Sequence, residues 1–223
     1  MTTTTPETLA ILGGSGDLGT GLAWRWARAG HRILFGSRTA ERAEEAAARL
    51  RDRCPGAEVR ALDNLTAARE ATLVVLTVPA AHQLDTLATV REALQGKVLI
   101  DVTVPLVPPK VGTVQLPPEG SAGKRAQALL GDGVDVVSAF QNISAQLLQQ
   151  DVAIECDVLV AGNKKAARER VIALAADAGL RGWHAGPIEN AAAAEALTSI
   201  LIQINRSGGL SHAGIRIVGD AAH

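Results

Sequence analysis

The chain has 223 residues, with 22 Lys and Arg against 23 Asp and Glu and a formal net charge of -1. So even a balance leaves no electrostatic footprint for nucleic acid or an anionic membrane, and no apolar run approaches the ~20 residues of a membrane span. The length suits one α/β domain with a small appendage and leaves room for a sizeable core.

The opening stretch, MTTTTPET, lacks a basic region followed by an apolar one, so it reads as a frayed tail and not a signal, and a cytoplasmic protein is expected. From Leu9 onward, short apolar or β-branched runs alternate with longer Ala-rich amphipathic ones. Strands are expected near 8–13, 32–36, 58–61, 73–77, 98–102, 134–138, 157–161 and 181–184. Helices are expected near 17–29, 39–52, 64–69, 80–95, 120–130, 143–149, 164–178 and 189–206. This alternation predicts a doubly wound, mostly parallel sheet with right-handed crossovers. In the first helix Leu18, Leu22 and Trp26 form an i, i+4, i+8 stripe, with Arg25 and Arg28 off it.

Between the first strand and first helix, ILGGSGDLG (residues 11–19) sets Gly14, Gly16 and Gly19 in G-x-G-x-x-G spacing. A strand before and a helix after are the context that makes this a dinucleotide loop of Rossmann type. Gly14 is expected to permit the tight turn, Gly16 to let backbone approach a pyrophosphate, and Gly19 to let helix and sheet pack closely. The helix N-terminus then offers unpaired N–H groups and a positive dipole end to the phosphates.

The second strand ends in HRILFGSRTAER, which has Ser37 and Arg38 where an NAD site usually has an acid, and Arg42 a helical turn later. A guanidinium forks onto a 2′-phosphate, so this constellation favours NADP(H). In VVLTVPAAH (residues 74–82), Pro79 can start a helix at its first turn. His82 is then either close to the nicotinamide half or a partly exposed helix histidine with no role. Farther on, five prolines in residues 104–120 forbid helix over most of that segment and make a stiff loop after a central strand. Such a loop lies where open α/β sheets bind ligands.

Cys54 and Cys156 form no C-x-x-C pair and read as inert reduced thiols. The chain has no Tyr, hence no Ser/Tyr/Lys proton relay, and no H-E-x-x-H or Cys/His cluster suggests a metal. A hydride transfer between two stacked cofactors needs neither an alcohol's general acid nor a large substrate domain; the protein mainly positions two rings about 3–3.5 Å apart.

From about Thr8 to Val218 the chain resembles the NADPH-dependent reductases of coenzyme F420, a 5-deazaflavin. The resemblance rests on LGGSGDLGTGLA, GSR, LTVP..H, DVTVPL, EGSA, VVSAF, CDVLVAG and AGPIENA..AEALTSILIQINR, the last being the most specific. It implies an NADP-binding Rossmann domain over 1–140 and a small C-terminal α/β extension over 141–223, with the deazaflavin in the cleft between them, stacked on the nicotinamide. It also implies a homodimer, for which the small-residue helix AAAAEALTSILIQI (191–204) is one candidate interface; the same helix also reads as plain core packing.

Carried over residue by residue, the resemblance implies that Ser15, Gly16, Asp17 and Leu18 line the pyrophosphate and that Ser37, Arg38 and Arg42 hold the 2′-phosphate. Val78 and His82 would flank the nicotinamide, Ala145 would close over the dinucleotide, and Ala213 would approach the deazaflavin. The slot for the deazaflavin ring is expected from Val104-Pro105-Leu106, Phe140 to Ala145 and Ala213-Gly214. Two departures fall there: Ala80 stands where members commonly carry an aromatic residue, and Gln141-Asn142-Ile143-Ser144-Ala145 stands where they commonly read His-x-x-Pro-Ala. Two other functions remain open on residues alone: an NADPH-dependent reductase of a flavin, quinone or imine, and a non-catalytic NADP-binding sensor.

Overall fold

The structure, a computed structural model, describes residues 5–220; the first four residues of the expected N-terminal tail lie outside it. The strands are β1 (Thr8–Leu12), β2 (Arg32–Ser37), β3 (Val59–Asp63), β4 (Leu73–Leu76), β5 (Val98–Asp101), β6 (Asp135–Ser138), β7 (Asp157–Gly162) and β8 (Arg181–Gly186). The helices are α1 (Asp17–Arg28), α2 (Ala40–Arg53), α3 (Asn64–Glu70), α4 (Gln83–Val90), α5 (Ala122–Leu130), α6 (Ala145–Leu148), α7 (Lys165–Asp177) and α8 (Ala191–Ser207).

β1 explains its own apolar run. Leu9 and Ile11 pack into one buried cluster and Ala10 and Leu12 into the other, so both faces of the strand are covered. Small residues do the same for the helices: α2 buries Ala43, Ala46, Ala47 and Leu50, which lets it lie close to the sheet. α1 has Asp17 in its first turn and Arg25 and Arg28 in its last, each sign placed to suit the helix dipole.

All eight strands form one sheet in the order β3-β2-β1-β4-β5-β6-β7-β8. Neighbours run parallel except β6 and β7, which pair antiparallel. The strand order reverses between β1 and β4, and that crevice is where a doubly wound sheet binds ligands. β7 and β8 prolong this same sheet.

The C-terminal elements are bolted to α1. Trp26 Nε1 donates to Leu174 O at 2.8 Å, and its ring meets Phe140 edge-on with centroids 5.9 Å apart. Arg25 is no solvated surface residue: its guanidinium donates to the carbonyls of Leu147, Leu148, Gln150, Val152 and Ala178. The stripe pattern hid this, because a residue off the apolar face can still be buried by carbonyl groups from elsewhere.

Three expected helices differ. The span 80–95 divides into a 3₁₀ turn (Ala80–His82), α4 and a second 3₁₀ turn (Arg91–Leu94), because His82 and Val90 leave helical geometry at φ -109° and -114°. The helix expected from 120 begins at Ala122, since Gly120 is left-handed at φ 95° and the Ser121 hydroxyl caps the helix by accepting from Lys124 N–H. The helix expected over 143–149 is the single turn α6, capped by Ser144. Residues 102–121, as their prolines require, form neither helix nor strand.

Candidate functional site

The loops that follow β1, β2, β3, β4 and β5 enclose a cavity of about 490 Å³ at the crevice between β1 and β4. Gly13 and Ser15 to Leu18 form its floor at the start of α1, apart from Asp17, while Ser37, Arg38 and Arg42 stand at one end. Thr77, Val78, His82 and Val102 to Val104 stand at the other.

The glycines divide their roles differently from the motif's usual reading. Gly13 makes the turn: it is left-handed at φ 72°, its N–H donates to Gly36 O at 3.1 Å, and a Cβ there would overlap Val78 Cγ1. Gly14 has no positive φ and is instead a packing residue, whose Cβ would lie 2.7 Å from Ile11 Cγ2 and 2.8 Å from Phe35 Cδ1. Gly19 is likewise tight, with Thr77 Oγ1 at 2.8 Å and Gly14 Cα at 3.0 Å from its Cβ position. Gly16 alone opens on free space, with nothing within 4 Å of its Cβ position. It is also the N-cap of α1 and brings no capping side chain, so the first N–H groups of the helix face the cavity side uncapped.

Of the residues singled out from sequence, Ser15, Gly16, Leu18, Ser37, Arg38, Arg42, Val78 and His82 come together on this cavity. Gly14 and Gly19 support it from beneath. Asp17 does not line it; its carbonyl accepts from Gln149 Nε2 at 2.6 Å. Sequence reasoning missed Asn64 and Thr103, whose side-chain oxygens Oδ1 and Oγ1 are buried without a hydrogen-bond partner among the described residues. Both follow the ends of strands facing the crevice, and that position is the signal that singles them out.

A second, smaller cavity of about 150 Å³ lies between residues 141–144, α8 and the tail residues His212 and Ala213. Gln141 is its fixed point. Both contacts of its Nε2 are donations, to Asp101 O at 2.9 Å and Ser138 Oγ at 2.8 Å, so the amide cannot flip without setting oxygen against oxygen. Gln141 Oε1 is thereby defined as an acceptor, and it is buried without a partner.

The rest of the expected slot is dispersed. Phe140 is core, 1% exposed and packed on Trp26. Val104 lines the larger cavity, whereas Pro105 and Leu106 line neither. Gly214 packs on Cys156, where a Cβ would come 2.6 Å from the sulfur. Ala145 opens α6 beside the smaller cavity without lining it.

Beneath both cavities runs a buried polar chain. Arg125 donates to Gln83 Oε1 at 2.7 Å, and Gln83 Nε2 donates to the Asp101 carboxylate and to Ala122 O. Glu195 of α8 accepts from the N–H groups of Ala122 at 2.7 Å and Gly123 at 3.0 Å, closing the start of α5. Burial pushes the Asp101 carboxyl up and raises that of Glu195 to about 7. Neither lines a cavity, so both carboxyls serve the structure. Among the described residues no group of three or more His, Cys, Asp or Glu is placed to hold a metal ion.

A family model described as NADP oxidoreductase, coenzyme F420-dependent, matches residues 8–105. Over 218 residues the chain is 41% identical to an F420-dependent NADP reductase of Methanothermobacter marburgensis, covering 94% of this chain and 97% of that protein. It is 38% identical over the same length to the enzyme of that name from Methanocaldococcus jannaschii, with the same coverage. A crystal structure of a candidate F420-dependent NADP reductase from Arthrobacter sp. FB24 has the same fold, with a TM-score of 0.79 at 24% identity, covering 96% of this chain and 100% of that one. A reductive aminase from Aspergillus terreus shares the fold more distantly, with a TM-score of 0.64 at 20% identity over 92% of this chain and 64% of that one.

Proposed function

The chain belongs to the family of coenzyme F420-dependent NADP oxidoreductases, and from that premise we propose how its two cavities share the family's reaction. The enzyme transfers a hydride between NADP(H) and the deazaflavin coenzyme F420. The nicotinamide and the deazaflavin supply the hydride-donating and hydride-accepting carbons when bound. The protein binds, orients and shields them.

The larger cavity takes the dinucleotide. Ser15, Gly16 and Leu18, with Gly14, Asp17 and Gly19 shaping the turn, receive the pyrophosphate at the uncapped start of α1. Ser37, Arg38 and Arg42 receive the 2′-phosphate, and Val78 and His82 flank the nicotinamide. The observation that carries this reading is one continuous cavity with two guanidinium groups at one end and the β4 and β5 strand ends at the other. The orphaned oxygens of Asn64 and Thr103 fit a ligand that is polar along its length.

The smaller cavity marks where the deazaflavin enters, so that residues 1–140 serve the dinucleotide and 141–223, including Ala145 and Ala213, serve the acceptor. Gln141 links the two: it is bonded to Asp101 O, and Asp101 Oδ1 accepts from Thr103 N–H on the dinucleotide side. The test is direct. Mixed with NADPH and oxidised F420, the protein bleaches the deazaflavin absorbance; a protein that oxidises NADPH only with a flavin, a quinone or an imine would overturn the acceptor.

We further propose a cytoplasmic homodimer paired through α8. No helix among the described residues is long and apolar enough to cross a membrane, and α8 exposes Ile200 and Ile204 on its outer side. Sedimentation of the protein beside an Ile200→Asp, Ile204→Asp variant tests the pairing.

A further inference from the structure

Reduction of a deazaflavin takes more than a hydride: the ring gains a hydride at carbon and a proton at a ring nitrogen, while NADPH loses the hydride and leaves as NADP⁺. The hydride needs only alignment, but the proton needs a source. Of the ten residues lining the 150 Å³ cavity, one has a side chain that can both give and take a proton in general acid–base catalysis, and it is His212.

His212 is set there with some force. It and Phe140 are the two non-glycine residues with positive φ among those described, at 59° and 71°; Phe140 is core, and His212 lines this cavity. Residues held in the left-handed region cluster where function requires a side chain to be aimed. The chain just after it is fastened: Ala213 N–H donates to Asn205 Oδ1 at 2.9 Å and Ile215 N–H to Cys156 Sγ at 3.3 Å. The imidazole Nδ1 lies 2.9 Å from Ser144 Oγ, which also receives Leu147 N–H at 3.3 Å. A hydroxyl can donate to a neutral ring and accept from an imidazolium, so this contact survives both protonation states. It leaves Nε2 as the nitrogen for a bound ring.

Charged and titratable groups on the surrounding elements are engaged elsewhere. Arg206 of α8 lies against Gly112, Arg216 of the tail pairs with Glu155 at 3.3 Å, and the Cys156 thiol is pushed up by burial. None of them lines the cavity.

We propose that His212 is the acid–base residue of the acceptor half-reaction, resting on the assignment of the smaller cavity to the deazaflavin. In the direction of deazaflavin reduction, the Nε2–H bond of the His212 imidazolium breaks and its proton goes to the ring nitrogen. The two electrons arrive with the hydride from NADPH. In reverse, the neutral His212 Nε2 takes that proton back. Exchange with solvent at the exposed tail reprotonates the ring after the forward step and deprotonates it after the reverse one.

His212→Asn is the test variant, because Asn tolerates positive φ and can keep the bond to Ser144 but does not titrate. Reduction of F420 by NADPH is followed from about pH 5.5 to 9, and binding of oxidised F420 is followed by its fluorescence. Wild type should lose rate as pH rises through the histidine ionisation. The variant should lose that limb and fall roughly 10²-fold or more in rate, within the range for general acid–base catalysis. Its affinity for oxidised F420 should change less than about threefold, and added imidazole should restore rate to His212→Gly, whose glycine suits the left-handed backbone. A variant with the wild-type pH profile, or one whose rate loss follows lost binding and ignores imidazole, overturns the proposal alone. A wild-type protein that leaves F420 oxidised overturns the assigned reaction and this step with it.

Discussion

Gln141 and Asp101 meet across the gap between the two cavities: the glutamine amide donates to the aspartate's backbone carbonyl at 2.9 Å. The same aspartate's carboxylate receives the backbone N–H of Thr103 at 2.9 Å. One buried residue therefore sets the position of a wall residue on each side. Because Gln141 does not ionise near neutral pH, it aligns and does not move protons. Gln141→Ala should lower the rate of F420 reduction by less than ~100-fold, below the roughly 10²–10⁴-fold range of acid–base roles. Steady-state kinetics decide this, and a loss greater than ~100-fold would contradict a purely positioning role.

Arg38 and Arg42 line the dinucleotide cavity at the end of β2. Charge-assisted bonds to a 2′-phosphate are worth roughly 1.5–3 kcal/mol, so the protein should prefer NADPH to NADH by at least about tenfold. Arg38→Ala should remove most of that preference and leave NADH binding nearly unchanged. Titration calorimetry with both dinucleotides measures it.

Gly16 and Gly13 should fail in opposite ways. Gly16 faces open space, so Gly16→Val should fold normally and lose dinucleotide binding. Gly13 is left-handed and pressed on Val78, so Gly13→Ala should destabilise the fold by about 1–2 kcal/mol from backbone conformation, with further loss from overlap. Circular dichroism melts beside NADPH binding separate the two outcomes.

Stability should fall between mildly acidic and neutral pH. The Glu195 carboxyl is raised by burial from 4.5 to about 7, so its contribution is whole below 4.5 and lost as pH rises through 7. The shift corresponds to a loss on the order of 3 kcal/mol. Asp157 acts at the other end. Its bonds to Arg181 lower it from 3.8 to about 2, giving stability present above 3.8 and lost as pH falls through 2. Urea unfolding from pH 4 to 8 should show the decline, and Glu195→Gln should flatten it.

The sheet was legible in the sequence because its central strands, β1, β4 and β5, are covered on both faces, and such strands announce themselves as short apolar runs. The dinucleotide end was legible for a similar reason: phosphate recognition concentrates its residues in one turn and one strand end, as Ser37 and Arg38 do. Gly13 was not distinguished from Gly14, since adjacent glycines look alike until one adopts φ 72°. Asn64, Thr103 and the fixed amide of Gln141 were hidden because their roles depend on the ends of strands far apart in sequence. Arg25 was hidden most deeply, for its five carbonyl partners come from residues 147–178.

α1 begins at a glycine that supplies no cap, so the helix at the centre of the fold is finished only from outside, by water or by a phosphate. A dinucleotide there binds the folded chain and not the unfolded one, adding about 2.7 kcal/mol at a hundredfold excess over its dissociation constant. With the dinucleotide seated there, the abundance of the folded enzyme in a cell should follow the supply of its nucleotide. When that pool runs down, loss to unfolding and proteolysis should come sooner, before any change in synthesis.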